Sequence, residues 1–202
     1  MKKSHILLAI SSLALLNACT PLGMATGAAA GVGNAASKEG GISGAVTDAS
    51  IKGQINESWL KYNIETFSKL STTVNQGRVL LTGVVQNPED RVEAVRLVWQ
   101  VPGVKQVINE IRVSESEGVP GFVKDTWITS RLRAELTFEK NVSSLNYSID
   151  TVQGVVYLMG VAMSQDELNR VMQIARTIPN VKQVVSYVKM VGEPVTPTGV
   201  MQ

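Results

Sequence analysis

The side chains best suited to chemistry are scarce in this sequence, and their positions decide what it can do. Histidine and cysteine occur once each, as His5 and Cys19. Lys2 and Lys3 precede an apolar run from Ile6 to Leu16, broken only by Ser11 and Ser12, and the run closes on Leu16-Asn17-Ala18-Cys19. A positive start, a short apolar core and a small residue before the cut describe a secretory signal peptide. The core is too short for a membrane span, which takes roughly 20 apolar residues. Residues 1–18 are therefore expected to be removed, and His5 with them. The mature chain then has no imidazole. Ser-His and Cys-His nucleophile pairs, histidine acid–base chemistry and zinc sites built on His or Cys all fall away. Carboxylate, Lys or Tyr chemistry remains. The expectation is a binding protein and not an enzyme, with no catalytic residue, no metal ligand and no dissociable cofactor.

The segment ending at Cys19 resembles the bacterial lipobox, in which the signal is cut before a cysteine that becomes lipidated. That resemblance implies diacylglyceryl lipid on the thiol and an acyl chain, such as palmitate, on the new N-terminus. A lone free thiol is a liability in an oxidising compartment, and lipidation removes it. Each buried CH₂ contributes about 0.8 kcal/mol, so several chains anchor durably. Residue 20 is Thr and not Asp. In enteric-type bacteria the lipobox resemblance then implies sorting to the outer membrane, facing the periplasm. Loss of Lys2 and Lys3 from the 19 Lys+Arg brings the mature chain level with its 17 Asp+Glu. A neutral body gives no reason to expect nucleic acid.

The elements that would position a binding surface come from an internal repeat. At an offset of 77 residues, 48–113 aligns on 125–190 without a gap. Gln76-Gly77-x-Val79-x-Leu81-x-Gly83-Val84 matches Gln153-Gly154-x-Val156-x-Leu158-x-Gly160-Val161. Pro102-x-Val104-Lys105-Gln106-Val107 matches Pro179-x-Val181-Lys182-Gln183-Val184. Identities gathered at turns and strand starts point to duplication. In each copy an amphipathic helix comes first, carrying Ile51, Ile55 and Trp59 or Ile128, Leu132 and Leu136 at i, i+4, i+8. Asp48 and Asp125 are expected to be its N-caps. A hairpin follows, pairing Leu70, Thr72 and Val74 with Val79, Leu81 and Gly83, and Tyr147, Ile149 and Thr151 with Val156, Leu158 and Gly160. Asn87-Pro88 and the capping box Ser164-Gln165-Asp166-Glu167 start a second helix. A last strand, 104–113 or 181–190, completes an αββαβ unit. The predicted fold class is α+β: two tandem modules, each a three-stranded mixed sheet with two helices on one face. Sixty-six residues make a small core, so the copies are expected to pack on each other.

The αββαβ order, the x-Gly-x-Val-x-Leu-x-Gly hairpin and the Pro-x-Val-x-x-Val approach to the last strand resemble the BON domain, a module of bacterial periplasmic and outer-membrane proteins. Two copies behind a lipobox resemble the dual-BON outer-membrane lipoproteins. What this implies is a non-enzymatic protein that supports envelope integrity by binding an anionic phospholipid membrane. The expected divisions are signal peptide 1–18, lipidated Cys19 with a flexible Gly/Ala-rich tether to 47, domain one 48–113, linker 114–124, domain two 125–190 and a disordered tail 191–202.

Comparison of the two copies singles out one surface. Trp127, Arg131 and Arg133 replace Ser50, Gln54 and Asn56 of the first copy, and Phe122, Thr137 and Phe138 flank them. Indole and guanidinium groups together suit a membrane interface. Trp127, Arg131, Arg133 and Phe138 are the candidate lipid-binding residues. Packing of Trp127 between the domains, or docking of an outer-membrane assembly factor or cell-wall-associated protein, is the competing reading. Trp59 and Trp99 are expected to pack in cores, Lys105 and Lys182 to line solvated strand edges, and Gly83 and Gly160 to serve structure.

Overall fold

The computed structural model describes residues 41–116 and 118–195. The first module comprises α1 (Gly41–Tyr62), a short α2 (Ile64–Phe67), β1 (Leu70–Asn75), β2 (Arg78–Val85), α3 (Pro88–Trp99) and β3 (Gln106–Val113). The second comprises α4 (Gly118–Phe138), a 3₁₀ turn (Ser144–Asn146), β4 (Tyr147–Val152), β5 (Val155–Ala162), α5 (Gln165–Thr177) and β6 (Gln183–Met190). The sheets run β1-β2-β3 and β4-β5-β6, antiparallel at the hairpin and parallel at the crossover. The hairpin pairings are those read from the sequence, Leu70 with Gly83 and Tyr147 with Gly160 among them. The last strands begin two residues later than expected, at Gln106 and Gln183.

The first helices start seven residues earlier than the sequence indicated, at the equivalent residues Gly41 and Gly118. Asp48 and Asp125 therefore lie two turns inside, and neither is an N-cap. Each carboxylate instead reaches the hairpin turn. Asp48 accepts from Gln76 N (2.8 Å) and Gly77 N (2.9 Å), and Asp125 from Gln153 N (2.7 Å) and Gly154 N (2.8 Å). Both turn residues have positive φ in each hairpin, 55° and 77° in the first, 51° and 79° in the second. That is the primed geometry that matches strand twist. It aims two adjacent N–H groups outward, where one carboxylate satisfies both. The linker expected over 114–124 is helical from Gly118, and residues 41–47 of the expected tether belong to α1. Val191 N donates to Ala162 O (2.9 Å), so the start of the expected tail is held against the sheet.

Two caps behave differently. Ser164 Oγ accepts from Glu167 N (3.1 Å). The buried Glu167 carboxylate does not return to Ser164; it accepts from Met163 N and Ser143 N, both at 2.7 Å, tying the loop before β4 to the start of α5. Asn87 caps α3 without accepting from a helix N–H; its Nδ2 instead donates to Asp90 Oδ2 (3.2 Å). The short α2 was not anticipated. Asn63 starts it by accepting from Thr66 N (3.0 Å), and it drives Phe67 under Trp59 with ring centroids 5.7 Å apart.

Each sheet has helices on one face only, and the two bare faces close on each other. The result is four layers: helices, sheet, sheet, helices. Val79, Leu81 and Val85 of β2 join the first helical core, and Val156, Leu158 and Ala162 of β5 the second. The alternate residues Leu80, Val152, Val155, Tyr157 and Met159 form a third cluster between the sheets, flanked by Val84, Ile108, Val185 and Tyr187. Each large apolar side chain fully buried there contributes roughly 1.5–3 kcal/mol. Polar pins cross the same seam. Thr82 donates to Asp150, Tyr187 donates its hydroxyl to Glu110, and buried Arg78 donates through Nη2 to Tyr187 O (2.7 Å). Burial holds the Tyr187 phenol above its ordinary range, with the Glu110 carboxylate adding to the effect, and pushes the Arg78 guanidinium down.

Candidate functional site

The helix α4 buries Gly121, Ile128, Leu132 and Leu136 along one stripe. A soluble helix ordinarily turns polar residues the other way. This one does not. Val119, Val123 and Trp127 follow one another at i, i+4, i+8 on the side away from the core, and Phe138, three turns beyond Trp127, returns to the same side. All four are exposed, Trp127 by 47% and Phe138 by 85%, and Phe122 stands exposed nearby. At about 1.5 Å per residue Val119 to Trp127 span roughly 12 Å, and Phe138 stands about 16 Å beyond Trp127, past the exposed Ser130, Arg131 and Ala134. Trp127 joins neither helical core and is absent from the cluster between the sheets.

Guanidinium groups flank this face. Arg131 Nε bonds Glu135 Oε1 at 2.8 Å, an exposed i,i+4 pair. Arg133 is exposed, and no ion pair to it forms among the described residues. The first module shows what the scaffold itself requires. On α1 the positions equivalent to Trp127, Arg131, Arg133, Ala134 and Phe138 are Ser50, Gln54, Asn56, Glu57 and Lys61, and Glu57 pairs with Lys61 at 2.6 Å. The positions of Val119 and Val123 are apolar in both copies, Ile42 and Val46 in the first, so the two helices differ from Trp127 onward, where the first copy is polar and the second carries an indole and a phenyl ring.

Phe122 is among the flanking residues read from the sequence, whereas Val119 and Val123 are not, because Gly118, Pro120 and Gly121 read as linker. The spacing of Val119 and Val123 with Trp127 is the available signal. Trp59 is buried and donates Nε1–H to Ala94 O (3.2 Å). Trp99 is only half-buried and stays outside the core expected to hold it, lying at the last residue of α3. Lys105 and Lys182 sit just before β3 and β6, where their backbone N–H groups donate to Gly77 O and Gly154 O, both at 2.8 Å. Gly83 and Gly160 have φ of +123° and +141° and lie against the backbone at Lys69 and Asn146. Cys19 falls outside the described residues.

Among the described residues no group of three or more His, Cys, Asp or Glu side chains converges as a metal site. No described helix is long and apolar enough to cross a membrane. Asp48, Asp125, Asp150, Glu110 and Glu167 each spend a carboxylate on the structural bonds given above, which leaves them poorly placed for proton transfer.

The BON domain family model matches residues 46–115 and 124–192. The chain is 44% identical over 146 residues to an uncharacterized protein in the gshII 5′ region of Anaplasma centrale, covering 72% of this chain and 95% of that protein. It is 29% identical over 139 residues to osmotically-inducible protein Y of Escherichia coli K12, covering 68% and 69% respectively. It is 28% identical over 146 residues to the outer membrane lipoprotein DolP of Haemophilus influenzae, covering 67% and 75%. The two matched segments fall on the two αββαβ modules, and the chain belongs to the BON-domain family, which it carries in two copies.

Proposed function

We propose that this protein is a lipid-anchored component of the bacterial envelope that binds anionic phospholipid through the outer side of α4 and so supports outer-membrane integrity. Acyl chains on Cys19 would hold it at the periplasmic face of the outer membrane, in keeping with a relative named as an outer membrane lipoprotein. The observation that carries the reading is the exposure of Trp127 and Phe138 on α4, at positions that are Ser50 and Lys61 on α1. A helix apolar on its free side can lie in the plane of a bilayer interface. Trp127 would sit at headgroup depth, Val119, Val123 and Phe138 would enter the acyl boundary, and Arg133 would meet phosphate. Arg131 would have to leave Glu135 to do the same.

Vesicle co-sedimentation of the unacylated chain tests this. Phosphatidylglycerol vesicles should retain the chain, less so as salt rises. Joint replacement Trp127→Ala and Phe138→Ala should weaken binding at least about tenfold while leaving the melting temperature in place, since both side chains are exposed. Arg133→Glu should cost about fivefold or more, and Arg131→Glu less, because Arg131 is already partly neutralised. Retention of the double variant at the level of the parent chain would remove the membrane reading.

A further inference from the structure

The helix α4 ends at Phe138, but exposed apolar side chains continue past it, off the helix. Leu145, in the 3₁₀ turn before β4, is 50% exposed, and Met163, between β5 and α5, is 54% exposed. The fold brings both to the end of the second module where Phe138 stands. Asn146 lies against Gly160, and the Glu167 carboxylate accepts from Ser143 N and Met163 N, both at 2.7 Å. The loop carrying Leu145 is thereby fastened beside Met163. Lys140, two residues beyond Phe138, is exposed at the same end and forms no ion pair among the described residues. Of the nearby acids, Glu135 is held by Arg131, Glu139 faces Arg170 at 3.5 Å, and Asp166 is exposed on the first turn of α5.

The fold itself does not call for these residues. In the first module Lys61, Asn63, Ser68 and Gln86 occupy the positions of Phe138, Lys140, Leu145 and Met163. That module exposes Leu60, Tyr62 and Ile64 near its own corresponding end, where Tyr62 stacks on Phe67 with ring centroids 5.6 Å apart. The two ends point in opposite directions. Arg78, at the start of β2, reaches Tyr187, which pairs with Met159 late in β5. Arg112, opposite Val84 near the end of β2, reaches Gln153 just before β5. The central strands thus run against each other across the seam. A flat surface that meets the end of the second module is turned away from the end of the first.

We infer that the membrane contact wraps around the C-terminal end of α4, so that Leu145 and Met163 enter the acyl boundary of an anionic bilayer together with Phe138, while Lys140 and Arg133 meet its phosphates. This rests on the membrane reading of α4 and adds to it two residues that no helix pattern contains. Apolar side chains gain by leaving water at the interface, and cations are drawn to the anionic surface. Glu167 fixes the loop before contact, so insertion requires little further ordering. Contact at Trp127 and again at this end, about 16 Å along the axis, holds the module at one tilt on the bilayer, where a single anchor would let it pivot.

A dye that brightens on leaving water, attached at one cysteine in the unacylated chain carrying Cys19→Ser, tests the assignment. With phosphatidylglycerol vesicles, dyes at Leu145→Cys and Met163→Cys should brighten at least about twofold, and a dye at Tyr62→Cys should not respond. The joint variant Leu145→Ser and Met163→Gln copies the first module at exposed positions. It should keep the parental melting temperature and bind vesicles at least about fivefold more weakly. Lys140→Asn should weaken binding and flatten its dependence on salt. If vesicles retain the parent chain but both dyes stay dark, or if the joint variant binds as the parent does, the wrapped end is overturned and the outer side of α4 remains the contact. A dye at Tyr62→Cys as bright as that at Leu145→Cys overturns it as well. A parent chain that vesicles do not retain overturns both readings.

Discussion

Replacing Gly160 by alanine should unfold the second module. Gly160 lies in β5 opposite Tyr147, with φ of +141°, a region closed to side chains other than hydrogen. A Cβ built there would stand 1.9 Å from the carbonyl oxygen of Asn146, a backbone atom at the end of the 3₁₀ turn. That turn cannot retreat freely, because Glu167 ties Ser143 and Met163 together beside it. Backbone strain of this kind costs about 1–3 kcal/mol on its own, and the overlap adds to it. The equivalent Gly83 has φ of +123°, and its Cβ would meet Lys69 O at 2.5 Å. Gly83→Ala should be milder than Gly160→Ala, and both severe. Thermal unfolding followed by circular dichroism should show the order; a Gly160→Ala chain melting within a degree or two of the parent would contradict the close approach described for this strand.

The substitution Leu80→Asp should part the two modules without dissolving either. Leu80 is 1% exposed and belongs to the cluster between the sheets, not to the core beneath α1 and α3. An aspartate there would bury a carboxylate in an apolar cluster, on the sheet face that already holds Glu110 and meets Asp150, while Arg78, two residues along β2 on the same face, is already held by Gln106 and by Tyr187 O. Uncompensated buried charge costs several kcal/mol. Opening the seam is the available relief, since it hydrates the new charge and leaves each helix-covered core in place. X-ray scattering should report an expanded particle and far-ultraviolet dichroism an intact secondary structure. A particle of parental dimensions would show that the seam tolerates charge.

The legible parts of this fold were those written in local pattern. The offset of 77 residues placed both hairpins in register, and the Ser164 cap and the Pro88 start were visible as short motifs. What escaped notice depended on contacts distant in sequence. Asp48 and Asp125 look like helix caps because aspartate satisfies free N–H groups; the groups they satisfy belong to turns 28 residues away. The early starts of α1 and α4 were hidden by glycines and by Pro120, although proline is tolerated in a first helical turn. The four-layer packing had a signal. Arg78–Val85 and Val155–Ala162 are nearly continuous apolar runs, as strands buried on both faces are, whereas a half-exposed strand alternates. For the α4 surface, Trp127 and Phe138 stood out by comparison of the copies, but Val119 and Val123 needed the helix to be in view.

Fluorescence of Trp127 against vesicles whose acyl chains carry bromine at known depths asks most directly whether α4 meets lipid. Trp59 is buried and Trp99 half-buried, so the exposed indole should dominate any response, and Trp127→Phe should abolish it. A blue-shifted emission, quenched most by bromine near the headgroup end of the chain, is the expected outcome with phosphatidylglycerol vesicles. Emission and quenching unchanged by the vesicles would contradict a membrane-binding α4.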